Sequence, residues 1–193
     1  MSSGTTKAEL NPTIEKILSR SSTKKFADTP VSREHLELLL TAAVRAPDHG
    51  LLAPWRFTVL EGDRRALLGK AMAAALREKS PDAEGEALER ESSKAMRSPT
   101  LLVVSAVTQS HPKVPEIEQW VAVGAAIQNL WIAAESLGLG AAWKTGSHAY
   151  SPLVKQALGL APDERIIGFI HLGTPVSKGP VRPADFAGRT RWL

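Results

Sequence analysis

The sequence contains no cysteine, and this absence removes several classes of protein. Disulfide bonds, thiolate nucleophiles and cysteine-based metal sites all need the missing side chain. Other chemical signatures are missing too, since the chain has no GxxxxGK(S/T) loop, no HExxH, no GxSxG and no EF-hand loop. His111 and His171 lack partners at the spacing of metal ligands, and no carboxylate pair stands out. We therefore expect no metal site and nominate no catalytic side chain.

No stretch of the chain predicts a membrane span. The most apolar stretch, residues 120–139, contains Gln128, Asn129, Glu135 and Ser136, which favours a helix buried in protein over one in lipid. The first thirteen residues also lack the apolar core of a signal peptide. We expect a cytoplasmic protein that does not bind membranes.

The composition is that of an ordinary globular protein. Hydrophobic residues make up 43% and charged residues 23% of the 193 residues, which suits one domain spanning residues 1–193. The net charge of +4 is concentrated near the C-terminus. Between residues 176 and 193, four basic residues oppose one acidic residue: Lys178, Arg182, Arg189 and Arg191 against Asp185. An exposed or partner-wrapping tail explains these cations best and contact with an anion comes second, while we expect no nucleic-acid binding.

Hydrophobic periodicity predicts about six helices and four strands. Asn11 and Pro12 begin a helix that ends near Arg20, Ser32 caps the next helix, and residues 21–31 between them favour an irregular connection. The four predicted strands are WRFTVLEG, TLLVVSAVT, AAWKTG and ERIIGFIHLGTP, of which the second is apolar throughout, as a central strand would be. Strands and helices do not alternate strictly, so we expect an α+β fold with a central sheet between helical layers. The helix over 120–139 is apolar on all sides, which favours burial between two protomers of a homodimer.

Three segments combine residues that suit ligand binding, although each has a simpler explanation. RSSTKKF, residues 20–26, offers cations and hydroxyls for a phosphate, but cations are also common at the end of a helix. RAPDHGLLAPW, residues 45–55, places Arg45 and His49 between two prolines, yet an isolated histidine is more often structural. LGLGAAWKTG, residues 137–146, has glycines that close a helix instead of opening one, which excludes a dinucleotide fingerprint.

Taken together and in order, these segments resemble the FMN-dependent nitroreductase family, and within it the small YdjA-like subgroup of NAD(P)H nitroreductases. The resemblance covers nearly the whole chain. Its segments are SRSSTKKF, RAPDHGLLAPWRFTVLEG, HPKVPEIEQWVAVGAAIQNLWIAAESLGLGAAWKTG and IIGFIHLGTP. It implies an α+β nitroreductase-like fold, with a central, mostly antiparallel sheet flanked by helices in an intertwined homodimer, and FMN at the subunit interface.

The resemblance also assigns roles to residues. Arg20, Ser21 and Ser22 match residues that bind FMN from one subunit, and Arg45 and His49 match residues that reach it from the partner. Trp143, Lys144 and Thr145 match positions along the flavin edge, and Lys24 matches a basic residue near flavin N1 and O2. The segment associated with NAD(P) corresponds to six consecutive residues: Ala133, Ala134, Glu135, Ser136, Leu137 and Gly138.

The sequence departs from the subgroup at three places. Ser21 stands where an arginine is usual, and Ala53 where a glutamine commonly precedes Pro-Trp. Lys144 and Thr145 replace the usual Arg-Ser. These departures bear on FMN affinity and substrate range more than on the fold.

The function implied is ping-pong hydride transfer from NADH or NADPH, through FMN, to a small nitroaromatic or quinone acceptor. One alternative is a flavin-binding or flavin-processing protein of the same fold without general reductase activity. A second alternative is a basic interaction module that acts through its C-terminal tail.

Overall fold

Four antiparallel strands form the central sheet of the computed structural model, which describes residues 11–183 and 185–193. The strands are β2 (Trp55–Glu61), β3 (Thr100–Ala106), β4 (Gly140–Lys144) and β5 (Arg165–Gly173), in the order β2-β3-β5-β4. β3 is buried along its whole length, as its apolar sequence predicted. The α+β architecture is therefore confirmed.

The described part of the chain also forms six α-helices: α1 (Pro12–Ser19), α2 (Arg33–Ala43), α3 (Asp63–Lys79), α4 (Glu86–Ser92), α5 (Glu116–Ser136) and α6 (Pro152–Ala157). Two predicted caps are present, because Asn11 accepts a hydrogen bond from Thr13 N at 2.9 Å and Ser32 accepts one from His35 N at 3.2 Å. α5 begins four residues before the predicted start at residue 120 and ends at Ser136. No helix among the described residues meets the length and hydropathy needed to cross a bilayer.

The two faces of the sheet carry separate apolar layers, because side chains alternate along each strand. On one face, Leu102 and Val104 of β3 pack with residues of α2 and α5. On the other face, Leu101 and Val103 pack with residues of α3 and α6. The core therefore lies on both sides of β3, and functional side chains are left for the ends and edges of the sheet.

One prediction is wrong. Residues 21–31 were expected to be irregular, but β1 (Thr23–Phe26) pairs antiparallel with β6 (Pro175–Lys178), a strand that the sequence also failed to indicate. β1 reads TKKF, and its polar side chains hide the pattern because only Thr23 is fully buried. Its partner lies about 150 residues away along the chain, so no local signal could reveal the pairing.

Several apolar side chains remain exposed on α1 and α5. Ile14, Ile17 and Leu18 of α1 are each about half exposed, at 45%, 49% and 49%. Ile117 and Val121, one turn apart on α5, are 57% and 65% exposed. Contiguous exposed apolar side chains of this kind are typical of a protein–protein contact.

Candidate functional site

A cleft of about 910 Å³ opens beside β4, one of the two edge strands of the central sheet. We call it the main cleft. The segment around β1, one side of α5, the end of β4 and the C-terminal segment form its walls. Its lining residues are Arg20, Ser21, Ser22, Thr23, Lys24, Phe26, Arg97, Gln128, Trp131, Ala142, Trp143, Lys144, Thr145, His171, Gly179, Pro180 and Arg182.

The main cleft is strongly cationic. Five of its lining residues are basic and none is acidic: Arg20, Lys24, Arg97, Lys144 and Arg182. The lining also includes four hydroxyl side chains and two indole rings. Uncompensated cations beside hydroxyl donors suit a phosphate, and indole rings suit a planar aromatic group.

Seven of the nine predicted flavin residues line this cleft. Arg20, Ser21, Ser22 and Lys24 come from the segment around β1, and Trp143, Lys144 and Thr145 come from the end of β4. The fold thus brings together two sequence segments that lie about 120 residues apart. Arg45 and His49 are not among its lining residues.

The pairing of β1 with β6 forms one wall of the cleft. Gly179 follows β6, and its N–H donates to the carbonyl oxygen of Ser22 at 2.7 Å. A side chain at position 179 would lie 3.1 Å from that oxygen, so glycine permits the close approach. This contact leads the chain onward to Arg182, which also lines the cleft.

Sequence reasoning did not assign two of the cleft arginines to the flavin site. Arg182 was counted only among the tail cations, for which contact with an anion was the second interpretation. Arg97 lies in the charged stretch before β3. Nothing in the local sequence indicates that this part of the chain folds next to the main cleft. Both line the main cleft in the structure.

Two tryptophans fix the shape of the cleft. The Arg20 guanidinium lies over the Trp131 ring, 4.5 Å from its centroid, which holds this arginine by a cation–π contact. Trp143 Nε1 donates to the carbonyl oxygen of Ile167 at 3.2 Å. A Cβ at Gly168 would lie 2.1 Å from that nitrogen, so glycine lets the indole lie against β5.

His171, on β5, has a defined protonation state. Ser98 Oγ donates to the Thr100 carbonyl oxygen at 2.8 Å and lies 2.9 Å from His171 Nδ1. Because a hydroxyl has one hydrogen, His171 Nδ1–H must donate to Ser98, which leaves Nε2 as an acceptor. Burial, followed by the charges of Arg97 and Lys144, lowers the pKa of His171 to about 4, so the imidazole is neutral near pH 7.

Arg45 and His49 lie in the connection between α2 and β2, and both are exposed. His49 Nδ1 is 2.6 Å from Glu118 Oε2, near the start of α5. Asp48 Oδ2 accepts a hydrogen bond from Ala53 N at 2.7 Å, and Leu51 and Ala53 adopt positive φ values of 54° and 46°. Such conformations cost on the order of 1 kcal/mol each, so the surrounding contacts must hold this loop in one shape.

The segment predicted to contact NAD(P), residues 133–138, covers the end of α5 and the turn after it. Ala134 and Glu135 are buried, and Glu135 pairs with Lys178 of β6. None of the six residues lines the main cleft, and their nucleotide contact stays a prediction. Within residues 11–183 and 185–193, no group of three or more possible metal ligands is present.

The low pKa of His171 predicts that this residue destabilises the fold in acid. Its pKa is about 4 when folded and 6.5 as a free side chain, so the unfolded chain binds the extra proton first as the pH falls. Stability is fully present above pH 6.5 and is lost as the pH approaches 4. We expect wild type to lose about 2 to 3 kcal/mol more than His171→Gln between pH 7.5 and pH 4.5.

Urea unfolding of both proteins at the two pH values measures this difference. Comparison with the variant cancels the contributions of other groups, such as Glu91, whose pKa is also lowered, in its case by Lys94 and His148 against the effect of burial. Parallel pH profiles for the two proteins would show that His171 is not held neutral by the fold.

Comparison with known proteins agrees with this architecture. A model of the nitroreductase family matches residues 17–174. Escherichia coli K12 YdjA, provisionally named as an NAD(P)H nitroreductase, is 33% identical over 168 residues, which cover 86% of this chain and 89% of YdjA.

Two solved structures are similar over nearly their whole length. A nitroreductase-like family protein from Bacillus cereus has a TM-score of 0.82 and 25% identity, covering 95% of this chain and 97% of its own. A provisionally named nitroreductase from Desulfovibrio desulfuricans, crystallised in complex with FMN, has a TM-score of 0.77 and 24% identity, covering 95% and 98%. The latter likeness supports the fold.

Proposed function

Since this chain belongs to the nitroreductase family of FMN-dependent oxidoreductases, we propose that its main cleft binds FMN and that it passes hydride from NADH or NADPH to a small nitroaromatic or quinone acceptor. One observation carries the proposal. Two segments predicted to bind flavin converge on a single cleft that has five cations and no carboxylate in its lining.

The donor set of the cleft fits this cofactor. A phosphate monoester carries nearly two negative charges at neutral pH. Arg20 and Arg182 are the candidates to hold it, because a guanidinium can bind two phosphate oxygens at once. The hydroxyls of Ser21 and Ser22 offer further donors, and Trp131 and Trp143 give flat apolar surfaces for an aromatic ring system.

When bound, FMN would supply the redox chemistry by accepting hydride from the nicotinamide and delivering it to the second substrate in a ping-pong cycle. The protein contributes binding, orientation and charge. Lys24 is exposed in the cleft lining and is our candidate to stabilise the negative charge that develops at flavin N1 and O2. No side chain is needed as a nucleophile.

The positions of Arg45 and His49 support a homodimer. His49 contacts Glu118 at one end of α5, whereas Gln128 and Trp131, further along that helix, line the cleft. Ten residues of helix separate Glu118 from Gln128, a rise of about 15 Å. His49 therefore lies too far along α5 to serve its own cleft.

An antiparallel pairing of two α5 helices would remove this separation. If the helices cross near Gly124, one residue from the midpoint of the two levels, the Glu118 level of one protomer meets the Gln128 level of the other. Gly124 suits the crossing, because no atom other than those of its chain neighbours and the adjacent helix backbone lies within 4 Å of where its Cβ would be. Ile117 and Val121 would then be covered by the partner, in keeping with their exposure in a single chain.

The proposal predicts a yellow protein. Purified from cells or mixed with FMN, it should show flavin absorption between 300 and 550 nm and should oxidise NADH or NADPH faster when a nitroaromatic or quinone is added. Bound FMN without oxidation of either nucleotide would favour a flavin-binding protein of another activity. A colourless protein that takes up no FMN would refute the flavin site.

Arg20→Ala and Arg45→Ala should each weaken FMN binding by about tenfold or more, because each removes a charged hydrogen-bond donor. Fluorescence titration with FMN measures the dissociation constant. Arg64→Ala is the matched control, since Arg64 is an exposed arginine that does not line the main cleft. Equal FMN affinity in Arg45→Ala and wild type would remove the partner contribution from the proposal.

Gly124→Arg should convert the dimer to a monomer and reduce FMN affinity together, because a long charged side chain would occupy the proposed helix crossing. Analytical ultracentrifugation and FMN titration measure the two effects. Gln156→Arg, on α6 away from this crossing, is the control for added charge. A variant that stays dimeric with full FMN affinity would contradict the α5 pairing.

A further inference from the structure

A second cavity, the side pocket, adjoins the main cleft. It has a volume of about 240 Å³ and shares four lining residues with the cleft: Arg97, Lys144, Thr145 and His171. Cavities of about 150 Å³ already bind benzene. The side pocket is therefore large enough for one substituted aromatic ring and too small for a dinucleotide.

The charges of this pocket are only partly compensated. Lys94 and His148 both contact Oε1 of Glu91, so this carboxylate offsets the charge of Lys94. Arg97 and Lys144 have no carboxylate partner within residues 11–183 and 185–193. The pocket thus keeps two available cations on the wall that it shares with the main cleft.

Three apolar side chains form another part of the pocket. Met72, Leu101 and Phe169 line it, with exposures of 4%, 0% and 2%. They belong to the core layer on this face of the sheet, so their positions are fixed by packing. A ligand that matches this surface has an aromatic body and an anionic substituent.

The pKa of His171 responds to the charges of Arg97 and Lys144. It is 4% exposed, and after burial itself, Arg97 and Lys144 are the causes that lower its pKa to about 4. Lys94 and His148 are the other titratable bases of the pocket, and both are held by Glu91. An anion placed between Arg97 and Lys144 would offset their charge and raise the pKa of His171.

We propose that the side pocket binds the anionic substituent of an aromatic electron acceptor, with Arg97 as its principal specificity residue. This inference rests on the proposed function, since it names the acceptor class for that same site. The charge balance supports it. The phosphate of FMN neutralises about two of the five cleft cations, which leaves positive charge for a second anion.

A pair of acceptors of matched shape tests the proposal. We expect wild type to show a higher kcat/KM for 4-nitrobenzoate than for 4-nitrobenzamide, which has the same ring and nitro group but no charge. Arg97→Met should lower the ratio of these two values by about tenfold, since it removes a charged hydrogen bond to the carboxylate. Arg64→Met makes the same charge change away from both cavities and should keep the ratio of wild type.

Three results from these assays would overturn the proposal. The first is the same ratio in wild type and in Arg97→Met. The second is a loss of FMN from Arg97→Met as large as the loss of nitrobenzoate turnover, which would make Arg97 a cofactor residue. The third is a KM for NADPH that rises in Arg97→Met while the KM for NADH and the acceptor ratio stay unchanged. That result would show that Arg97 binds the nucleotide and not the acceptor.

A binding measurement separates this inference from the proposed function. The pKa of His171, followed by NMR of histidine-labelled protein, should rise when benzoate is added to wild type and should not respond to benzamide. In Arg97→Met the response to benzoate should be lost. A benzoate response without any turnover would support the anion site while refuting the reductase, whereas normal turnover of neutral acceptors with no benzoate response would refute the anion site alone.

Discussion

The antiparallel pairing of β1 with β6 is the contact on which the functional site depends. It joins residues 23–26 to residues 175–178, near the two ends of the described chain. Without it, Ser22 and Lys24 would have no fixed position relative to Trp143, and Arg182 would have no route into the cleft. The central sheet provides the floor and most of the core, but this two-stranded ribbon sets the spacing of the groups that a ligand would meet.

The same construction concentrates charge. Five basic side chains line one cleft that has no carboxylate among its lining residues. Their positive charges repel one another until an anion binds. The chain tolerates this because four of the five are exposed and the fifth, Arg20, lies over Trp131. Any ligand that carries a phosphate would relieve the repulsion and stabilise the folded state by mass action. The site and the stability of the fold are therefore linked through electrostatics as well as through packing.

The sequence predicted what is local. Asn11 and Ser32 begin their helices as expected, the four strands of the central sheet lie where hydrophobic patterns indicated them, and the buried β3 follows from its apolar run. Motif resemblance also identified seven residues that the fold brings to one cleft. What escaped prediction is non-local: β1 and β6 are short and polar, and each becomes a strand only because the other is present. Arg97 and Arg182 are far apart in the sequence, so only the folded structure shows that both line the main cleft.

The order in which the chain is synthesised has a consequence for this arrangement. A ribosome releases residues from the N-terminus onwards, so β1 emerges long before β6 exists to pair with it. β5 (Arg165–Gly173) provides two of the three strand pairings of the central sheet, and it also emerges long after β2 and β3. Folding of the sheet and completion of the cleft must therefore wait until the ribosome has released residues 165–178. A polypeptide truncated shortly before residue 175 would keep most of its hydrophobic residues. It would lack β6, and with it one wall of the main cleft.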